Sequence, residues 1–110
     1  FNQKAFKVPA ADIYIDNLKD GWNWNGRNII FFVAEGHTNG GICIKIGNCL
    51  FTGDTLLKDL RTVTKLFCGS KEKLSMTIEK IKKLQGKKYH VFHGHGEDFD
   101  LDGYDLNKAL

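Results

Sequence analysis

His37, Asp54 and His95 are the residues whose types and settings could do chemistry. His37 lies in Gly36-His37-Thr38-Asn39-Gly40-Gly41, Asp54 in Phe51-Thr52-Gly53-Asp54-Thr55, and His95 in His93-Gly94-His95-Gly96. Each follows an apolar, β-prone run, so each falls where a strand gives way to a loop, and loops on a rigid scaffold carry chemistry. Each also has glycine beside it, which lets backbone and ligand approach closely. Two imidazoles and a carboxylate are a ligand set for Zn²⁺, and Fe or Mn takes similar donors. Their separation is too long for a local chelate, so only the fold can bring them together. Singly, each has a plainer reading: a histidine at the surface, an aspartate in a turn or helix cap. His93 would share a side with His95 if the strand continued and could chelate with it, but Gly94 and Gly96 favour a loop.

The elements that must position these groups follow from local patterns. Ile13-Tyr14-Ile15 reads as a short strand. Trp22 and Trp24 alternate with asparagines, and Asn25-Gly26 between two β-prone runs signals a hairpin. Asn28 to Ala34 is apolar on both faces and reads as a buried central strand. Ile42 to Ile46, Gly47-Asn48 and Cys49 to Thr52 form a second two-residue hairpin, closed by a bend at Gly53-Asp54-Thr55. Ser70 to Leu84 is the helix: Ser70 caps it, Glu72 suits its positive end, and Leu74, Ile78, Ile81 and Leu84 make one apolar stripe that Gly86 closes. Tyr89 to His93 is a last strand, and Asp105 to Leu110 a short terminal helix.

Several features read as bland. Lys80, Lys82, Lys83, Lys87 and Lys88 form a solvated helix end, because no stacking aromatics interleave with them. From Glu97 onward the tail is acidic and reads as solvated. Asp98 to Gly103 matches the start of a calcium loop, but its twelfth position is Ala109, where a bidentate Glu is needed. The three cysteines, Cys43, Cys49 and Cys68, read as small core residues. Their number is odd and their spacing fits no metal finger, which suits a reducing, cytoplasmic setting.

At 110 residues with no internal linker or repeat, residues 1–110 form a single domain or a half-domain. A formal charge of +3 is too mild for a dedicated nucleic-acid binder, so no nucleic acid is expected as partner. The apolar runs are too short to span a bilayer, so no membrane partner is expected. The chain opens on Phe1 rather than Met, so an upstream segment is expected to have been removed. Strands, a helix and a final strand make an α/β class (α+β in some schemes).

Three segments in order resemble the C-terminal half of the metallo-β-lactamase superfamily. Phe32-Val33-Ala34-Glu35-Gly36-His37-Thr38-Asn39-Gly40-Gly41 resembles its strand and Gly-His-Thr-x-Gly segment. Asn48 to Leu56, with Phe51-Thr52-Gly53-Asp54-Thr55-Leu56, resembles its Phe-Thr-Gly-Asp-Thr segment. Val91 to Gly96 resembles its Gly-His-Gly close. The wording is most similar to the glyoxalase II-like thioesterase and general hydrolase branches.

The resemblance implies one half of an αββα sandwich, with β hairpins followed by a helix and a final strand. It implies that His37 binds one Zn²⁺, His95 a second, and Asp54 bridges them while positioning the water that attacks a small-molecule ester, thioester or related bond. Fe or Mn could replace zinc, and His93 could be an extra ligand.

The chain departs from the pattern in several places. The family's upstream His-x-His-x-Asp-His motif is not among the 110 residues. Glu35 and Asn39 stand where relatives often carry Pro, and His93 also replaces a frequent Pro. The Gly-Arg-Thr-Asp wording of the closest branches is missing between Leu57 and Phe67. The chain alone is therefore expected to be inactive. Its missing ligands and the cover for its sheet would come from an N-terminal half, a partner chain or a second copy. The alternative is a non-catalytic interaction or scaffold module of the same fold. Tyr89 and His93 are candidates for a general acid by position alone.

Overall fold

The structure is a computed structural model and describes residues 7–110. Six strands form one sheet in sequence order: β1 (Trp22–Trp24), β2 (Arg27–Val33), β3 (Ile42–Ile46), β4 (Cys49–Gly53), β5 (His90–His93) and β6 (Phe99–Asp100). All neighbours are antiparallel except β4 and β5, which run parallel. A parallel pair needs a crossover, and helix α1 (Lys71–Lys82) lies in that connection.

Both hairpins form as their turn residues dictate. Asn25 and Gly26 have φ of 51° and 79°, the left-handed pair that matches the twist of flanking strands. Gly47, at φ 56°, opens the second turn, and Ile46 pairs with Cys49 across it. The helix starts where its cap stands: Ser70 accepts a hydrogen bond from the Lys73 N–H.

Strand alternation gives the sheet two unlike faces. On one, Cys43, Leu50 and Val91 are buried against Leu74, Ile78 and Ile81 of α1, with Phe32 packed alongside. Phe99, Leu101, Leu106 and Ala109 complete this core. The other face carries Ile29, Phe31, Val33, Ile42, Ile44, Ile46, Phe51 and Phe92, brought together by the strand registers. None of these is buried, and Val33 stays 52% exposed. Residues 11–19 cover one end of this face, leaving a cleft of about 820 Å³ over Phe31, Val33 and Ile42.

Several expectations need correction. Ile13 to Ile15 forms no strand; a 3-10 turn spans Ile15–Asn17 instead, because no neighbouring strand offers this run a ladder. β2 is not a buried central strand: it lies next to the edge strand, and one of its faces meets no second layer. The acidic tail is not simply solvated. It contributes β6 and a 3-10 turn at Leu106–Ala109, and Asp102 accepts hydrogen bonds from the Gly86 and Lys88 N–H groups. Of the cysteines only Cys43 is a core residue, its thiol pushed up to about 12 by burial; Cys49 is half-buried and Cys68 exposed. No helix among the described residues is long and apolar enough to cross a membrane.

Candidate metal centre

The loop bearing His37 is held at both ends and from beneath. The Ala34 N–H donates to the Gly41 carbonyl at 2.8 Å, closing the loop off β2. Helix α1 grips its start: Ser70 N–H donates to the Gly36 carbonyl at 2.8 Å, and the Thr77 hydroxyl to the Glu35 carbonyl at 2.7 Å. Lys73 Nζ reaches Glu35 Oε2 at 3.0 Å and Asn39 Oδ1 at 3.4 Å. Gly36 allows this approach. Its φ is 140°, and a Cβ there would lie 2.5 Å from Leu74 Cα.

His37 Nδ1 lies 2.8 Å from the Val63 carbonyl. A carbonyl only accepts, so Nδ1 donates in this contact. Nε2 faces the carboxylate of Asp54, 3.8 Å from Oδ2. Asp54 follows β4, where Gly53 at φ 53° turns the chain and Thr55 N–H closes a turn on the Thr52 carbonyl. The other carboxylate oxygen, Oδ1, lies 3.2 Å from Nε2 of His95, on the loop after β5. Gly94 makes room: a Cβ on it would sit 2.2 Å from Asp54 Oδ1. The side chains of His37, Asp54 and His95 are 20%, 39% and 71% exposed, so the arrangement opens to solvent on the His95 side.

The structure thus brings together the three residues singled out by sequence. They are strung out, one imidazole on each carboxylate oxygen, rather than closed around one point. Among the described residues no three or more His, Cys, Asp or Glu side chains form a group that could by itself hold a metal ion. The donor set, two imidazoles and a carboxylate, is of a kind that zinc and iron take. The carboxylate has one imidazole on each oxygen, and His37 has the orienting carbonyl contact typical of a metal-binding histidine.

His93 stands apart from this group. Its Nε2 donates to the Glu97 carbonyl at 2.6 Å, its Nδ1 faces the His95 N–H at 3.4 Å, and its ring packs against Phe99. It braces the loop that carries His95. Tyr89 precedes β5, at the end of the strand opposite His95, and packs against the core, so it cannot serve as an acid at this site. His90 belongs to a separate cluster, with Nδ1 2.7 Å from Asp100 Oδ1 and Nε2 against Asp98. These contacts, Asp100's first, raise the His90 pKa, and the His90 contact lowers that of Asp98.

Sequence reasoning missed Lys73, Thr77 and the Val63 carbonyl. Glu35 and Asn39 held a clue to the first. Both depart from the family pattern, and both are what Lys73 binds.

No protein-family model matches the chain. A 67-residue stretch is 39% identical to the probable E3 ubiquitin ligase complex SCF subunit sconB of Talaromyces marneffei, covering 51% of this chain and 10% of that protein. Solved structures resemble it over a greater share of the chain. TTHA1623 in a di-iron-bound form superposes with a TM-score of 0.66 at 20% identity, over 86% of this chain and 45% of its own. The B3 metallo-β-lactamase BLEG-1 gives 0.65 at 21%, over 73% and 39%. ETHE1 from Myxococcus xanthus gives 0.66 at 18%, over 83% and 47%. The chain has the metallo-β-lactamase fold and spans somewhat less than half the length of each of these structures.

Proposed function

We propose that this chain supplies His37, Asp54 and His95 to the dinuclear metal centre of a metallo-β-lactamase-fold hydrolase acting on a small ester, thioester or related bond. The carrying observation is the Asp54 carboxylate set between two imidazoles, with Nδ1 of His37 held by the Val63 carbonyl and Nε2 turned to Asp54. Zinc or iron held there would supply Lewis acidity, which polarises a carbonyl and lowers the pKa of bound water. The di-iron form of TTHA1623 supports iron as an alternative to zinc.

The residues divide the work. His37 and His95 would each hold one metal position through Nε2. Asp54 would serve both, its negative charge offsetting the repulsion between two cations. Glu35, Lys73 and Asn39 fix the His37 loop on α1, and His93 fixes the His95 loop. Further ligands come from a polypeptide seated on the open apolar face of the sheet.

A second reading, a non-catalytic interaction module, is favoured by that same open face. Elemental mass spectrometry on the purified chain after zinc or iron loading separates the two. Metal retained by the parent and lost in His37→Ala and Asp54→Asn, with ester or thioester hydrolysis once the covering polypeptide is present, supports the hydrolase. No retained metal even with the covering polypeptide present, and His37→Ala folding as the parent does, supports the module.

A further inference from the structure

We propose that Lys45, Lys80 and Lys83 form, with Ile30, Phe32 and Leu84, a binding site for a small organic anion with an apolar body, of the class of an alkyl phosphate or a short-chain carboxylate. These six residues line a cavity of about 260 Å³. It lies on the helix side of the sheet, away from the open apolar face, and does not depend on the metal-centre reading.

Lys45 is the unexpected member. It sits on β3, an interior strand, where alternation gives it the same face as Cys43. Its cross-strand partners are Ile30 and Leu50, and Cys43 pairs with Phe32. Cys43 and Leu50 belong to the core under α1, so a lysine stands on a face that otherwise carries apolar side chains. Lys45 is half-buried, with its Nζ 6.0 Å from the centre of the Tyr89 ring. Lys80 and Lys83 come from the end of α1. Lys80 Nζ donates to the Val33 carbonyl at 2.9 Å, which leaves two of its three hydrogens for a ligand. Lys82 is engaged elsewhere, with Glu79 and Asn107. Lys58, Lys73, Lys82 and Lys108 each have a carboxylate partner. Among the described residues Lys45, Lys80 and Lys83 have none.

A single lysine whose stem covers apolar surface while its head stays wet needs no ligand. Three ammonium groups without acidic partners around one cavity are different. They repel one another, and a concave apolar wall focuses their field. An anionic head relieves that repulsion, and Ile30, Phe32 and Leu84 accept the apolar body behind it. Sites of this kind combine an apolar lining with a few polar groups that fix orientation. The enclosure between strands and helix favours a free small molecule over a bilayer surface.

The test uses the whole 110-residue chain labelled with ¹⁵N and free of metal. Hexyl phosphate, inorganic phosphate and hexanol are titrated separately while the backbone amides are followed. Hexyl phosphate is expected to shift the amides of Ile30, Lys45, Lys83 and Leu84. Burial of its chain should make it bind at least about tenfold more tightly than inorganic phosphate, and its charge should make it bind more tightly than hexanol. Lys45→Met combined with Lys83→Gln removes two charges and should weaken binding about tenfold, the scale of lost charge-assisted hydrogen bonds. Added salt should weaken it too. Phe92→Lys, on the opposite face, should leave it unchanged.

Shifts centred on Phe31, Ile44 and Phe92 would place the ligand on the open face and overturn the proposal. So would parental affinity in a folded Lys45→Met/Lys83→Gln chain, or inorganic phosphate binding as tightly as hexyl phosphate. Should Lys45→Met not fold, Lys80→Gln with Lys83→Gln, both at exposed positions, decides in the same way. Binding to phosphatidic acid vesicles without a response to free hexyl phosphate would mean a bilayer surface and also overturn the proposal. Zinc binding at His37 is read separately, so failure here leaves the metal-centre reading standing.

Discussion

Gly94→Ala should damage the metal centre while sparing the fold. The new methyl carbon would stand 2.2 Å from Asp54 Oδ1, whereas real Cβ contacts do not fall below 3.0 Å, so the pair must separate by about 0.8 Å. The backbone can accept alanine, because Gly94 is not among the residues held at positive φ. The conflict is with a side chain that is 39% exposed and free to swing, which is why stability should hold. What must yield is the carboxylate's seat between Nε2 of His95 at 3.2 Å and Nε2 of His37 at 3.8 Å. Displacing a ligand by most of an ångström should weaken zinc binding by about 10- to 100-fold, or roughly 1.4–2.8 kcal/mol. Calorimetric zinc titration reads the affinity, and a thermal melt by circular dichroism reads the fold. Zinc binding within twofold of the parent, in a protein that melts as the parent does, would refute the placement of Asp54 as a ligand beside Gly94.

Other perturbations probe different parts of the molecule. Gly36→Ala drives a Cβ into the backbone of Leu74 at 2.5 Å and at φ 140°, so urea unfolding should show a loss of more than about 2 kcal/mol. Ile78→Ala opens a cavity in the fully buried core and should cost about 2–5 kcal/mol in the same assay. His90 has a pKa raised in the folded state, so its contacts with Asp100 and Asp98 stabilise at pH below the ordinary histidine value and are lost as pH rises through the raised one. Amide exchange in β6, corrected for its intrinsic pH dependence, should therefore lose protection across that interval. His90→Gln should flatten the profile, and an unchanged profile would remove the role assigned to this cluster. Phe92→Lys places a charge on the open sheet face, where Phe92 is 38% exposed and stacked on Phe51. Binding of a hydrophobic dye should fall while the melting temperature changes little, and strong destabilisation would mean the face is packed in solution.

What could be read from the sequence was local. Asn25-Gly26 and Gly47-Asn48 specify their hairpins through backbone geometry within four residues, and Ser70 with the Leu74-Ile78-Ile81 stripe specifies the helix in the same way. Ile13 to Ile15 misled because β propensity needs a neighbouring ladder to satisfy the backbone. The acidic tail misled because Asp98, Asp100 and Asp102 find partners only through tertiary contacts, with His90 and with the Gly86 and Lys88 amides. The convergence of His37, Asp54 and His95 was legible from the order of their motifs, which composition and spacing alone could not supply. The Val63 carbonyl was invisible, since any residue has one and only the fold decides where it points. The open apolar face was anticipated from the half-sandwich, and the burial pattern of β2 and β3 shows it.

The most direct test of the central claim is a zinc titration followed at the four histidine rings by ¹⁵N-resolved spectroscopy. Metal should move Nε2 of His37 and Nε2 of His95, and Asp54→Asn should blunt both responses, while His90 and His93 stay as they are. Responses centred on His90 with its aspartates, or on none of the four rings, would contradict the assignment of His37, Asp54 and His95 as a shared metal centre.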